Sequence, residues 1–166
     1  MSEAVFVMKL ISRVASAAFL TFAGPQVLLA DQHIMLDQEA PEVRNIDLGE
    51  PGHSHGDLML FNAVFTAEDG SSGVITGRVT TVDRQDNAEE QLFKRQSEIV
   101  LDFENGDTLV VLGRSTYRIN GAALDPHGKH VRAIIGGTGR FVGARGQLTT
   151  TGKENGEYIH DVHLLD

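Results

Sequence analysis

Polar and apolar residues alternate along most of the chain in short runs that polar turns separate. Ile99, Leu101 and Phe103 occupy every second position of one run and therefore share one face of an extended strand. No segment after residue 30 shows a sustained helical period. The runs predict seven or eight short strands, the longest at residues 58–65, 74–82, 143–151 and 158–165.

The segments between these runs have the composition of turns and loops. Asn105-Gly106 and Asn155-Gly156 predict tight hairpins. The charged residues 83–90 predict a surface loop, as do residues 124–128. Closely spaced short strands favour an antiparallel sandwich or barrel. We predict a small up-and-down barrel in which the last strand pairs with the first, because closure removes exposed sheet edges.

The first 30 residues have the pattern of a signal peptide. Lys9 and Arg13 precede an uncharged apolar run at residues 14–23, which is too short to span a bilayer. Cleavage is expected after Ala23 or Ala30. The alternative is an N-terminal helix of a cytoplasmic protein. We therefore expect residues 1–30 to be a signal-peptide helix, residues 31–166 to form one barrel domain, and the protein to be secreted or periplasmic.

Composition excludes several classes of function. The chain has no Cys, so it forms no disulfide and offers no thiol nucleophile. Its formal charge of −9 argues against nucleic acid as a partner, because there is no basic surplus to neutralise phosphates. After cleavage we expect no stable membrane span. The seven His residues are scattered and predict no metal site, and His160 and His163 should point to opposite faces of the last strand.

A glycine-rich stretch at residues 134–146 is the most distinctive motif. Gly137, Gly139 and Gly143 miss the spacing of a dinucleotide-binding loop, and a strand-like Thr-rich segment follows where that fold needs a helix. Glycines also allow the close backbone approach of a tight turn between strands. The motif therefore predicts a corner of the barrel rather than a phosphate site.

Two motifs together resemble those of the allene oxide cyclase and dirigent superfamily. The first is Gly-Asp-Leu-Met-Leu-Phe-Asn at residues 56–62, and the second is Gly-Gly-Thr-Gly-Arg-Phe with Gly-Ala-Arg-Gly at residues 136–146. The resemblance covers about residues 31–166. It implies an eight-stranded antiparallel barrel that often forms trimers, works without a cofactor and takes a small hydrophobic substrate.

The resemblance also directs attention to polar residues on the predicted strands and to the aromatic residues of the motifs. An Asp or Tyr in such a lumen would donate a proton to a quinone-methide-like intermediate, and an Arg would hold an oxyanion. The predicted catalytic residues are Asn62, Tyr117, Arg145 and Asp161, and the predicted ligand-binding residues are Asp57, Phe61, Arg132 and Phe141. Alternatively, Asn62 ends a strand and caps its turn, and Arg145 is a solvated residue of the outer face.

Three hypotheses about function follow. The first is a secreted barrel that confines a reactive apolar intermediate and steers its cyclisation or coupling. The second is a non-catalytic barrel that binds a small hydrophobic ligand. The third is a structural or interaction domain whose interior is packed core. A shared fold does not choose among them, because function depends on the site.

Overall fold

The computed structural model describes residues 32–87, 90–118 and 129–165. The described residues form nine β-strands and one short 3-10 helix, Gly139–Phe141. The strands are β1 (Gln32–Gln38), β2 (Glu42–Ile46), β3 (Leu58–Ala67), β4 (Ser72–Asn87), β5 (Glu90–Phe103), β6 (Thr108–Arg118), β7 (Lys129–Gly137), β8 (Arg145–Gly152) and β9 (Tyr158–Leu165). The predicted all-β class is confirmed, while the predicted signal-peptide helix lies outside the described residues.

The sheet closes on itself through its first strand. Neighbouring strands pair antiparallel from β3 through to β9, and β1 pairs with β9 along its whole length. The end of β1 also pairs with the end of β3, from Leu36 opposite Ala67 to Gln38 opposite Phe65. Eight strands therefore form a closed barrel, as the sequence predicts, and the last strand pairs with the first.

Strand β2 is additional to the eight strands of the closed barrel. It follows β1 along the same side of β3. It pairs with β3 from Glu42 opposite Asn62 to Ile46 opposite Leu58. Residues 39–41, which include Pro41, separate it from β1. Within the described sheet β2 pairs with β3 alone, and we call it the rim strand.

Alternation of side chains sets the barrel interior. In β3, Ala63, Phe65 and Ala67 are buried, whereas the intervening Val64 and Thr66 are exposed. Strand β9 repeats the pattern, with four buried residues between more accessible ones. Both predicted hairpins are present, with Gly106 and Gly156 at positive φ.

One predicted loop is mostly strand. The charged residues 83–90 were expected to leave the sheet, but β4 runs to Asn87 and β5 begins at Glu90. Asp83 pairs with Lys94 and Asn87 with Glu90, so the antiparallel pairing of β4 with β5 continues through these charged residues. Cross-strand backbone pairing outweighs the low strand propensity of these residues. The loop predicted at residues 124–128 lies outside the described residues.

The glycine-rich motif forms a barrel corner, as predicted. Asp107 accepts a hydrogen bond from the backbone N–H of Arg140 at 3.1 Å and faces its guanidinium. Phe141 is buried in the core, and its Cβ packs where a side chain at position 137 would lie. The corner therefore ties the turn after β7 to the hairpin between β5 and β6.

Two adjacent glycines of this corner give a matched test of its packing. A Cβ at position 137 would overlap the carbonyl oxygen of Thr108 and the side chain of Phe141, whereas a Cβ at position 136 meets nothing within 4 Å. We expect Gly137→Ala to lower the free energy of unfolding by roughly 1–3 kcal/mol, the usual cost of overpacking. Gly136→Ala, the control, should stay within about 0.5 kcal/mol of the parent in urea denaturation. Equal stability of the two variants would contradict this account.

Candidate functional site

The interior of the barrel divides into an apolar half and a polar half. The apolar half contains a continuous cluster that includes Leu101, Leu109 and Leu148, all fully buried. The polar half begins where these strands reach their opposite ends. Its buried polar residues are Gln38, Thr81, Arg95, Ser97, Ser115, Arg132, Thr150 and His160. Strand alternation turns these residues inward, in the same rows as the apolar core.

A cavity of about 40 Å³ lies in the polar half. It is lined by Gln38, Pro41, Val43, Met59, Phe61, Ile75, Ile99, Tyr117, Arg132, Thr150, Tyr158 and His160. This volume holds about three water molecules. The rim strand contributes Val43, which is exposed, so the cavity lies next to β2, the one strand of the described sheet that pairs with a single other strand.

A chain of hydrogen bonds crosses one wall of the cavity. Arg132 Nη1 donates a hydrogen bond to Thr150 Oγ1 at 3.1 Å. Thr150 Oγ1 in turn lies 2.9 Å from His160 Nδ1. His160 Nε2 lies 2.8 Å from Gln38 Oε1. At the far end, Gln38 Nε2 donates to the carbonyl oxygen of Glu39 at 3.1 Å.

The two ends of this chain determine its direction. Because the amide nitrogen of Gln38 donates to a carbonyl, its oxygen must accept from His160 Nε2. A neutral imidazole then accepts at Nδ1, so Thr150 donates to it. Every donor from Arg132 to Gln38 therefore points the same way, and the proton of His160 lies on Nε2.

His160 is neutral in this arrangement. Desolvation, together with the charge of Arg132, lowers the pKa of His160 to about 3. A general base works best with a pKa near the operating pH, so this imidazole is poorly suited to that role. Its function is to orient Thr150 and, through it, Arg132.

Arg132 occupies the centre of the polar half. Its side chain is 3% exposed, and its Nε donates to Ser97 Oγ at 3.3 Å. The stem of Arg132 packs against Gly113, where a Cβ would lie 2.8 Å from its Cγ. Glycine at this position therefore leaves the space through which the arginine reaches the lumen.

A second arginine, Arg95, is also buried in the polar half of the barrel. Arg95 contacts Met59 Sδ, and its guanidinium carbon lies 5.2 Å from the centre of the Tyr117 ring. Burial lowers the pKa of Arg95, and the nearby Tyr117 and Asp57 act in the opposite direction. The Tyr117 ring therefore both contacts this cation and lines the cavity.

Three of the residues predicted from sequence come together at this cavity. Phe61, Tyr117 and Arg132 all line it. Phe61 lies across Gly77, where a Cβ would overlap its ring. It packs against the large apolar cluster and against a second hydrophobic cluster of Met59, Val79, Tyr117 and Tyr158. Of the eight residues predicted from the sequence, these three are therefore the ones that line the cavity.

The other predicted residues lie elsewhere. Asn62 and Arg145 are exposed on the outer face, and Asp161 contacts His33 there at 2.9 Å. Phe141 is buried in the apolar half. Desolvation would raise the pKa of Asp57, but hydrogen bonds from the backbone of Leu48 and Ser54 lower it, so this carboxylate holds the turn before β3 together.

Sequence reasoning missed Gln38, Thr150, Tyr158 and the role of His160. The signal was available, since Tyr158 and His160 occupy the same every-second positions of β9 as the inward Val162 and Leu164. The prediction that His160 and His163 face opposite ways is confirmed: His160 is buried and His163 is partly exposed. What the sequence lacks is the register that brings Thr150 opposite His160 on the neighbouring strand.

The described part of the chain contains no group of three His, Asp or Glu side chains placed to hold a metal ion. It also contains no helix of the length and apolar character needed to cross a membrane.

Comparison with known proteins supports the fold alone. No family model and no curated protein matches the sequence. The structure of pyocyanin demethylase matches 81% of this chain and 98% of its own, with a TM-score of 0.55 and 19% identity. The pterocarpan synthase dirigent protein GePTS1 matches 89% of this chain and 96% of its own, with a TM-score of 0.52 and 20% identity. The dirigent-like barrel that the two motifs suggested is thus confirmed as a fold.

The neutral state of His160 predicts a pH dependence of stability. An unfolded histidine has a pKa of about 6.5 and takes up a proton below it, whereas the native side chain, with a pKa of about 3, does not. Stability is therefore fully present above pH 6.5 and falls as the pH drops toward 3. At pH 5 the loss due to His160 should be about 2 kcal/mol, because each pH unit below 6.5 costs about 1.4 kcal/mol.

Urea denaturation at pH 7 and pH 5 tests this effect. We expect His160→Gln to be less stable at pH 7, because the hydrogen-bond chain is altered, but to lose about 2 kcal/mol less than the parent on acidification. His55→Gln, a change of an exposed residue in the turn before β3, should follow the parent. Parallel pH profiles for His160→Gln and the parent would refute the assignment.

Proposed function

We propose that this protein is a secreted dirigent-like barrel that binds a small apolar reactive intermediate and steers its cyclisation. The observation that carries the proposal is the cavity beside Arg132 and Tyr117, whose other lining residues are mostly apolar. Such a site needs to supply only shape, exclusion of water and a few oriented polar groups. No organic cofactor is required, because the substrate is already activated.

The polar groups suit ring closure of a quinone methide by a hydroxyl of the same molecule. A C–O bond forms at the methide carbon, and an electron pair moves to the quinone oxygen, which becomes a phenolate. Arg132 stabilises this oxygen. The proton of the attacking hydroxyl finally reaches the phenolate, so substrate and product are isomers, and Tyr117 is the proposed relay.

Binding a substrate requires the rim of the cavity to open. A volume of about 40 Å³ is too small for an aromatic molecule. Val43 lies on the rim strand, which pairs with β3 alone, and Phe61 is only partly buried. We propose that displacement of these two side chains admits the substrate to the lumen.

The second candidate is a non-catalytic barrel that binds a small hydrophobic ligand. The low pKa of His160 favours it, because that residue offers no effective general base at neutral pH. The two functions differ in whether the ring product formed in the presence of the protein is enriched in one enantiomer.

The steering function predicts an enantiomerically enriched product. A p-quinone methide with a tethered hydroxyl, generated in solution, closes to a racemic ring, and chiral chromatography measures the ratio with protein added. We expect an enantiomer ratio of about tenfold, which needs a difference of only about 1.4 kcal/mol between the two transition states. Arg132→Met should bring the ratio close to one.

The exposed Arg78 of the outer face provides the matched control. Arg78→Met removes a guanidinium of the same kind outside the lumen and should retain the ratio of the parent. Measurable binding of the product with a racemic outcome would instead support the non-catalytic barrel. A racemic outcome across several tethered substrates would reject the steering function.

We also propose that residues 1–30 are a signal peptide, that residues 31–166 form the exported barrel domain, and that the barrel assembles as a homotrimer. Exposed Leu60, Val64 and Val74 on the outer face of β3 and β4 support an assembled state.

Expression in a secreting host followed by native mass spectrometry tests both proposals. It should give a chain that starts at Gly24 or Asp31 and a mass of three copies. An uncleaved chain would reject the signal peptide, and a monomeric mass would reject the trimer.

A further inference from the structure

The buried polar residues described in the lumen include cations but no acids, although the protein is acidic. The chain carries a formal charge of −9. Among the described residues, however, the buried polar set contains two arginines, Arg95 and Arg132, and no Asp or Glu. His160 adds no charge, because its imidazole is neutral. The buried polar residues that the structure describes thus carry charge of the sign opposite to that of the protein as a whole.

Arg132 is the cation that faces the cavity. Within the described part of the chain, its hydrogen bonds go to two neutral hydroxyls, those of Ser97 and Thr150. A guanidinium has five N–H donors, so these two bonds leave donor capacity beside the cavity that Arg132 lines. A buried charge is costly unless an opposite charge or further hydrogen bonds compensate it. An anionic oxygen in the cavity would supply both.

The groups around Arg132 hold it ready for such an oxygen. The hydrogen-bond chain through Thr150 and His160 ends at Gln38, and its donors all point away from the arginine. The guanidinium is therefore fixed in position without being neutralised. The remaining lining is mostly apolar, with Met59, Ile75 and Ile99 among its members.

We propose that the cavity selects small apolar acids, whose one anionic oxygen group, a carboxylate or a phenolate, binds to Arg132. The apolar body of the ligand lies against the aliphatic and aromatic lining toward the rim. This inference rests on the proposed binding of small apolar molecules in the lumen and adds that an anionic oxygen, like the phenolate formed on ring closure, strengthens their binding. Planar carboxylates match the two parallel N–H donors of a guanidinium, which adds orientation to affinity.

Benzoate and benzamide test the charge requirement, because they have nearly the same shape and differ in charge. In calorimetric titrations of the full chain at pH 7, benzoate should bind at least about tenfold more tightly than benzamide, as expected for charge-assisted hydrogen bonds. Arg132→Met should remove the preference and leave the affinity for benzamide nearly unchanged. Arg78→Met should keep the preference of the parent.

The outcomes separate this inference from the proposed function. Equal affinities of the parent for the two compounds would overturn the anion preference while leaving an apolar binding site. Failure of both compounds to bind would overturn the lumen as a binding site and the inference with it. If Arg78→Met also lost the preference for benzoate over benzamide, the preference would arise from the protein surface, and the role of Arg132 would be overturned.

A second measurement needs no variant and holds even if Arg132→Met fails to fold. The absorbance of 4-nitrophenol reports its ionisation, and a site that prefers the phenolate tenfold lowers the pKa of the bound phenol by about one unit. We therefore expect the bound dye to remain ionised at lower pH than the free dye. An unchanged or raised pKa of the bound phenol would overturn the proposal.

Discussion

Closure of the sheet by β1 is the constraint on which the rest of the structure depends. This strand pairs with β9 along its length and with β3 at its end, so one seven-residue element joins the two edges. Once the sheet is closed, every second side chain of each strand must lie inside. Polar residues at those positions then have no route to solvent except through the lumen, and they must find partners there.

The polar half of the lumen satisfies this requirement with neutral partners around a cation. Ser97 and Thr150 accept from Arg132, and the imidazole of His160 stays unprotonated beside it. The arrangement resembles the one-directional networks in which each bond polarises the next. Its chemical consequence is a fixed positive charge in a low-dielectric space, which is the kind of group that stabilises a developing oxyanion.

Glycines on the inner face provide room for the large side chains of this interior. A Cβ at Gly73 would overlap the ring of Phe65, one at Gly77 would overlap Phe61, and one at Gly113 would crowd Arg132. In each case a small residue on one strand accepts a large one from its neighbour. The position of the cavity is therefore set by pairs of residues on adjacent strands rather than by any single strand.

The fold class, the corner at residues 134–146 and three residues of the cavity, Phe61, Tyr117 and Arg132, could be predicted from the sequence. Alternation and turn composition are local properties, so they can be read from neighbouring residues. The tertiary structure decided which polar residues meet. Gln38 lies 122 positions from His160, and only closure of the barrel brings their side chains to 2.8 Å. The same reason explains why the sequence did not show where the side chains of Asn62 and Arg145 point. The motifs identify these residues along the chain, but the register of the strands directs their side chains to the outer face.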